Sequence, residues 1–64
     1  MNALTTIVSA KIETKNNFKN LNGKFYQVKQ MVGTRVTCIV ELDGKMTTVD
    51  FNLYEVKEFN YNNQ

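Results

Sequence analysis

Residues 35–51 read RVTCIVELDGKMTTVDF, two alternating apolar runs on either side of the dipeptide Asp43-Gly44. Asp-Gly between two such runs favours a two-residue turn in which both central residues take positive φ, and this is the typical signal of a β-hairpin. With Asp43-Gly44 as the turn, the predicted register sets Leu42 opposite Lys45 and Val36 opposite Phe51. We therefore expect this hairpin to be the centre of the fold.

The predicted register divides the hairpin into two faces, because side chains alternate along a strand with a period of two. The expected inner face is apolar and contains Val36, Cys38, Val40, Leu42, Val49 and Phe51. The expected outer face is mixed and contains Arg35, Thr37, Ile39, Glu41, Met46, Thr48 and Asp50. Since a two-stranded hairpin is marginally stable alone, the flanking segments must complete a core.

The segment before the hairpin predicts one strand and one long loop. Residues 3–14 are rich in Thr, Ile and Val, which favour a strand, with Leu4, Thr6, Val8, Ala10 and Ile12 on its inner side. Ile7 interrupts this alternation and indicates a bulge or burial on both faces. Residues 15–24 are polar and end in an Asn22-Gly23 turn, and Phe18 and Leu21 are expected to pin this loop onto the core.

Residues 25–32 are compatible with two structures. A strand places Tyr26, Val28 and Val32 inward, and a three-residue loop Gly33-Thr34-Arg35 then sets these three side chains opposite Leu42, Val40 and Val36 respectively. The alternative is a helix over residues 17–32, because Phe18, Leu21, Phe25, Val28 and Val32 recur at helical spacing. Asn20, Asn22 and Gly23 inside such a helix cost about 2 kcal/mol relative to Ala. The strand is therefore preferred.

The chain after Phe51 predicts a short 3₁₀ turn over residues 52–55 and a short last strand over residues 56–59. Residues 60–64 are expected to form a frayed tail.

The order of these elements resembles that of SH3-like small barrels, including KOW-type modules. The positions that carry the resemblance are Leu21-Asn22-Gly23-Lys24, Val28, Gly33, Val36, Asp43-Gly44-Lys45, Phe51 and Glu55-Val56. The expected fold is thus all-β, a five-stranded SH3-like small barrel in one domain over residues 1–64, with a β-α-β-β fold containing the 17–32 helix as the alternative. The chain lacks the acidic loop and the tryptophan with which eukaryotic SH3 domains bind proline-rich peptides. The resemblance therefore implies architecture and assigns no site residues.

Composition bounds the chemistry of the chain. The 64 residues hold one cysteine, no histidine and a net charge of +2. One cysteine excludes an internal disulfide framework and a cysteine-based zinc site, and the usual general base is missing. No apolar run approaches the length that a bilayer requires, so we expect a soluble cytoplasmic protein, with no cofactor, no metal and no membrane partner.

No residue combination indicates catalysis. Cys38 falls in the middle of the expected inner face, where a cysteine behaves as a small hydrophobic side chain. Nothing in the predicted register pairs two of the late carboxylates, which are Glu41, Asp43, Asp50, Glu55 and Glu58. The three glycines are isolated, so there is no phosphate-binding loop. We expect the protein not to be an enzyme and to have no small-molecule substrate.

The outer sheet face is the expected binding site. Exposed apolar residues that form a contiguous patch typically mark an interaction surface. The residues predicted to bind a partner are Phe25, Lys29, Met31, Arg35, Ile39, Met46 and Thr48. The preferred interpretation is a regulatory or accessory protein, of the kind that phages and mobile elements encode, which docks on a larger protein or on a second copy of itself. The alternatives are binding of DNA or RNA through Lys, Arg and apolar side chains, or burial of the patch under the 15–24 loop.

Overall fold

The protein is all-β in a computed structural model that describes the backbone of residues 5–63 and the side chains of residues 6–61. Its five strands are β1 (Thr5–Ile12), β2 (Phe25–Val32), β3 (Arg35–Leu42), β4 (Lys45–Asn52) and β5 (Val56–Asn63). They form one antiparallel sheet in the order β4-β3-β2-β1-β5, with 3₁₀ turns at Lys19–Leu21 and Leu53–Glu55. Residues 3 and 4 of the predicted first strand lie outside the described residues.

The hairpin of β3 and β4 has the predicted register, although β4 lies at one edge of the sheet and not at its centre. Leu42 pairs with Lys45, Val36 pairs with Phe51, and the intervening pairs follow without any shift. Asp43 has a φ of 53° and Gly44 a φ of 77°, the positive values that this two-residue turn requires. Of the expected inner face, five residues are buried and Leu42 is partly buried.

The helical alternative for residues 17–32 is wrong. β2 is a strand from Phe25 to Val32, and the preceding loop contains only the single 3₁₀ turn Lys19–Leu21. The Asn-rich, Gly-containing segment before β2 does not sustain a helix, because Asn and Gly favour turns over helix interiors. The 3₁₀ turn between β4 and β5 is confirmed at Leu53–Glu55.

The pairing of β2 with β3 corrects the prediction. The loop has two residues, Gly33 and Thr34, so that Val32 lies opposite Arg35 and Met31 lies opposite Val36. The register shifts between Val28 and Gln30, which leaves one extra residue on β2, and Val28 consequently pairs with Cys38 rather than with Val40. The predicted pairs of Val32 with Val36, Val28 with Val40 and Tyr26 with Leu42 are therefore wrong.

The pairing of β1 with β5 also departs from the prediction. The ladder shifts between Ile7 and Ser9, close to the predicted irregularity, and the extra residue Val8 is exposed rather than inward. Thr6, which was also expected inward, is exposed. β5 does not end at Phe59 but continues to Asn63, because its distal half pairs with the beginning of β1. The expected tail over residues 60–64 is thus mostly strand, and Gln64 lies outside the described residues.

The sheet is curled around one small core. Buried side chains of β1 belong to the same cluster as those of β3 and β4, although β2 and β3 separate β1 from β4 in the sheet. The cluster consists of Ala10, Ile12, Leu21, Val36, Cys38, Val40, Val49 and Phe51. Phe18 packs edge-on against Phe51 with ring centroids 6.3 Å apart. Phe18 and Leu21 thus pin the long loop onto the core, as expected from the sequence.

Polar side chains fasten the loop between β1 and β2. The Asn22 side chain accepts a hydrogen bond from the Thr14 backbone N–H and donates one to the Thr14 carbonyl, each at 2.8 Å. The Thr14 hydroxyl donates to the Glu55 carboxylate. Glu55 in turn accepts from the Asn52 backbone N–H at 2.8 Å and completes a capping box on the second 3₁₀ turn. The start of the loop is therefore attached directly to the connection between β4 and β5.

Candidate docking face

The outer face of the sheet is defined by the register of its strands, since residues directly opposite each other in an antiparallel ladder point to the same side. One row crosses the whole sheet at its middle. It contains Thr48, Ile39, Gln27, Ser9 and Asn60, in order from β4 to β5. The Asn60 side chain donates to the Ser9 hydroxyl at 3.2 Å on this face. The outer face consists of this row and of the residues in the neighbouring rows that point to the same side of the sheet.

The apolar members of the outer face are exposed around a less exposed centre. Ile39, on the central row, is partly buried. Met46 on β4 is 69% exposed and Phe25 on β2 is 40% exposed. Met46 lies two residues before Thr48, and Phe25 lies two residues before Gln27; Thr48 and Gln27 are the direct partners of Ile39. Met46 and Phe25 are therefore diagonal neighbours of Ile39, at a separation of about 7–8 Å. Met46 and Phe25 both lie on the same side of Ile39 along the strands, and Glu41, which pairs with Met46, lies between them.

The predicted partner-binding residues do not all share this face. Ile39 and Thr48 form a direct pair, and Met46 follows two residues before Thr48. Arg35 lies at the far end of the face, opposite Val32 and Asn52.

Two of the predicted residues are displaced by the irregularity in β2. Lys29 lies at the register shift itself. Met31 is 39% exposed but lies opposite the buried Val36, and so belongs to the inner side of the sheet. Val32, which was expected inward, is 50% exposed and takes the outer position that was expected for Met31. The apolar set of the outer face is thus Phe25, Val32, Ile39 and Met46.

The charges on the outer face are mixed. Lys11 lies with its ammonium nitrogen 5.9 Å from the centroid of the Phe25 ring, in cation–π geometry, and pairs with Glu58 in the ladder. Asp50 accepts a hydrogen bond from the Thr37 hydroxyl at 2.6 Å, and Glu41 lies opposite Met46. The outer face therefore contains both acidic and basic side chains.

A cleft lies at the junction of the long loop with the second 3₁₀ turn. It encloses about 560 Å³ and is lined by Glu13, Lys15, Asn16, Tyr54 and Glu55. Lys57 and Glu13 form an exposed ion pair there at 3.3 Å. Sequence reasoning did not assign these residues a shared location. The only available signal was the density of Asn around Thr14, because Asn side chains often bond neighbouring backbone groups.

The thiol of Cys38 is poorly suited to act as a nucleophile. Cys38 is buried, and desolvation raises the pKa of its thiol from 9.0 to about 11. A thiol with a raised pKa is a poor nucleophile at neutral pH, since the thiolate is the reactive form. Among the described residues, no group of three or more His, Cys, Asp or Glu side chains is placed to hold a metal ion.

Comparison of the chain with family models, with curated proteins and with solved structures finds no match. Across residues 5–63, the structure contains no helix with the length and apolar character needed to cross a bilayer.

Proposed function

We propose that this protein is a small non-enzymatic binding module, with a regulatory or accessory role, that docks on a larger protein through the outer face of its sheet. The observation that carries the proposal is the arrangement of Phe25, Ile39 and Met46 in adjacent rows of one face, with Met46 69% exposed. Large exposed apolar side chains that adjoin one another are typical of interaction surfaces. Methionine suits such a surface, because its flexible side chain adapts to a partner.

The mixed charge of the outer face favours a protein partner of matching character. Lys11 and Arg35 are accompanied on this face by Glu41, Asp50 and Glu58. A protein surface with an apolar centre and a rim of both charge signs complements this arrangement, since interface rims are polar and interface centres are apolar. The partner would bury Ile39 and Met46 at the centre of the contact.

Nucleic-acid binding is the second candidate function. The net charge of +2 and the exposed Phe25 ring would serve phosphate contact and base stacking. The carboxylates on the outer face argue against it, because they repel phosphates. This candidate predicts affinity that falls steeply with salt, because bound counterions are released from the nucleic acid.

We further interpret the curled sheet as an SH3-like small barrel. The strand order β4-β3-β2-β1-β5 supports this interpretation, as does the single core that β1 shares with β3 and β4. Two backbone hydrogen bonds join the second 3₁₀ turn to other loops. The Glu13 N–H donates to the Glu55 carbonyl at 2.8 Å, and the Leu53 N–H donates to the Thr34 carbonyl at 2.7 Å.

The protein-docking proposal is tested with charge substitutions on opposite sides of one hairpin. Ile39→Asp and Met46→Asp each place a carboxylate in the apolar centre, whereas Thr47→Asp places one at an exposed position on the other side of the sheet. The immobilised wild-type protein should retain a specific protein from a lysate of its native host, and this protein should be lost with Ile39→Asp and Met46→Asp but kept with Thr47→Asp. Circular dichroism confirms that each variant is folded, and Met46→Asp decides the result if Ile39→Asp unfolds.

A partner that both folded outer-face variants retain would refute the protein-docking proposal. Fluorescence anisotropy with mixed-sequence DNA and RNA tests the second candidate. Binding at about 50 mM salt that weakens steeply as salt increases would favour nucleic acid, and the absence of binding would remove that candidate.

A further inference from the structure

The two edge strands of the sheet differ in how well they are protected against further pairing. An edge strand presents unpaired backbone N–H and C=O groups, and proteins usually protect it with bulges and charges. β5 has irregularities of this kind, because its ladder with β1 shifts twice. β4 pairs with β3 through eight consecutive residue pairs without any shift. The β4 edge is therefore regular, and none of the described strands pairs with its outer side.

The register of the hairpin identifies the backbone groups that point outward from β4. A two-residue turn is closed by a hydrogen-bonded pair, here Leu42 with Lys45, and bonded and non-bonded pairs alternate from there. The backbone N–H and C=O groups of Met46, Thr48 and Asp50 consequently point away from β3. None of these positions is a proline, so each offers both a donor and an acceptor.

We propose that β4 pairs antiparallel with β4 of a second copy of this chain, centred on Thr48. In this alignment Thr48 lies opposite its counterpart, and Met46 of each copy lies opposite Asp50 of the other. The outward-pointing groups then exchange about six hydrogen bonds between the copies. The two-fold axis is perpendicular to the sheet, so the two sheets continue as one with their outer faces on the same side.

The charges and side chains of β4 favour its own copy in this orientation. Lys45 and Asp50 are the only charged residues of β4, and they lie near its opposite ends. In the antiparallel alignment Lys45 lies opposite Phe51 of the other copy and Asp50 lies opposite Met46, so like charges stay apart, whereas a parallel in-register copy would set like charges side by side. At the centre Thr48 lies opposite Thr48 of the other copy, a favourable cross-strand combination, and Thr47 lies opposite Val49.

This inference does not rest on the proposed docking function. Edge pairing uses the backbone of β4 and leaves the outer face accessible, so a dimer would present two outer faces side by side. Pairing through one strand buries a small area, which is characteristic of a weak and reversible association.

Association is measured with the complete protein by sedimentation velocity from about 10 µM to about 1 mM, the range in which small interfaces dissociate. The expected result is a reversible shift from monomer to dimer within this range. Amide NMR spectra recorded over the same dilution series should change most at Met46, Thr48 and Asp50. Hydrogen exchange of these outward-pointing amides should also slow at high concentration.

A proline substitution separates edge pairing from other forms of self-association. Thr48→Pro removes one outward-pointing N–H and leaves the bonds between β3 and β4 intact, because proline is tolerated on the open side of an edge strand. Thr48→Val is the matched control, since it keeps the backbone N–H and the branched side chain. We expect Thr48→Pro to remain monomeric at about 1 mM, where weak interfaces form, and Thr48→Val to dimerise as the wild type does.

Three results would overturn the proposal. One is a wild-type protein that stays monomeric over the whole range. Another is a folded Thr48→Pro variant that dimerises like the wild type. The third is a dilution series whose amide changes lie on β5 or around Ile39 and Phe25, which would assign self-association to another surface. If Thr48→Pro fails to fold, the exchange of the outward-pointing amides in the wild type decides between these outcomes.

Discussion

Replacement of Asn22 by alanine should destabilise the protein more than its position in a surface loop suggests. The Asn22 side chain makes two hydrogen bonds of 2.8 Å to the backbone of Thr14, one as donor and one as acceptor. Thr14 is buried, so its backbone N–H has little access to water once Asn22 is shortened. Asn22→Ala therefore removes two bonds and leaves a buried donor without its partner.

The magnitude follows from these contacts. Each hydrogen bond contributes about 1 kcal/mol net, and an unsatisfied buried donor costs about 1–3 kcal/mol. Because solvent reaches part of the site, we expect Asn22→Ala to lower the free energy of unfolding by about 2–3 kcal/mol. A chain of this length has a total stability of about 3–10 kcal/mol. The melting temperature should accordingly fall by about 8–24 °C.

Urea denaturation at 25 °C, followed by circular dichroism, measures this effect. Asn20→Ala is the matched control, because Asn20 is an exposed asparagine in the same loop, and it should change stability by less than about 0.5 kcal/mol. Asn22→Asp keeps the acceptor for the Thr14 N–H but loses the donor, and should lie between the two. A loss for Asn22→Ala as small as that for Asn20→Ala would refute the reasoning.

Two further predictions concern the hairpin and its cysteine. Gly44→Ala should lower the free energy of unfolding by about 1–2 kcal/mol, because the residue has a φ of 77°. No atom lies close enough to obstruct the added methyl group, so backbone strain is the only penalty. An unchanged midpoint of urea denaturation would contradict this explanation. Burial raises the pKa of the Cys38 thiol from 9.0 to about 11, so its contribution to stability is complete below pH 9 and is lost as pH rises to about 11. Cys38→Ala should flatten this part of the pH profile, and an identical profile in that variant would show that another group is responsible.

The parts of the fold that sequence predicted are those determined by local chemistry. The Asp43-Gly44 turn and the alternation on both sides of it determine the register of β3 and β4, and the structure has that register. The decision between strand and helix for β2 depended on the cost of Asn and Gly inside a helix, which is also local. Both predictions are confirmed because each segment contains its own signal.

The parts that sequence missed depend on neighbouring strands. The extra residue in β2 reverses the sides on which Met31 and Val32 lie, and no residue type announces it. A two-residue turn with a bulge and a three-residue turn without one both place Val28 on the inner side of the sheet, so the pattern of apolar residues does not distinguish them. The expected docking set consequently included Met31 where the outer face has Val32.

The contacts of the loop between β1 and β2 could not be predicted from the sequence for a related reason. Thr14 meets Glu55 across 41 positions of the chain, and β5 is a strand as far as Asn63 although its last residues are polar and carry little strand signal. In both cases a distant segment supplies the missing partner. Such contacts follow only from a fold that is already known.

The position of β1 in the sheet has a consequence for folding during synthesis on the ribosome. β1 is the first of the five strands to be made, yet its longest ladder is with β5, the last of them. Translation at about 5–20 residues per second separates the emergence of these two strands by roughly 2–9 seconds. During that interval β2, β3 and β4 can collapse, but most of β1 lacks its pairing partner, because only Ser9–Lys11 pair with β2. The pace of the ribosome therefore sets the earliest time at which the sheet can be complete.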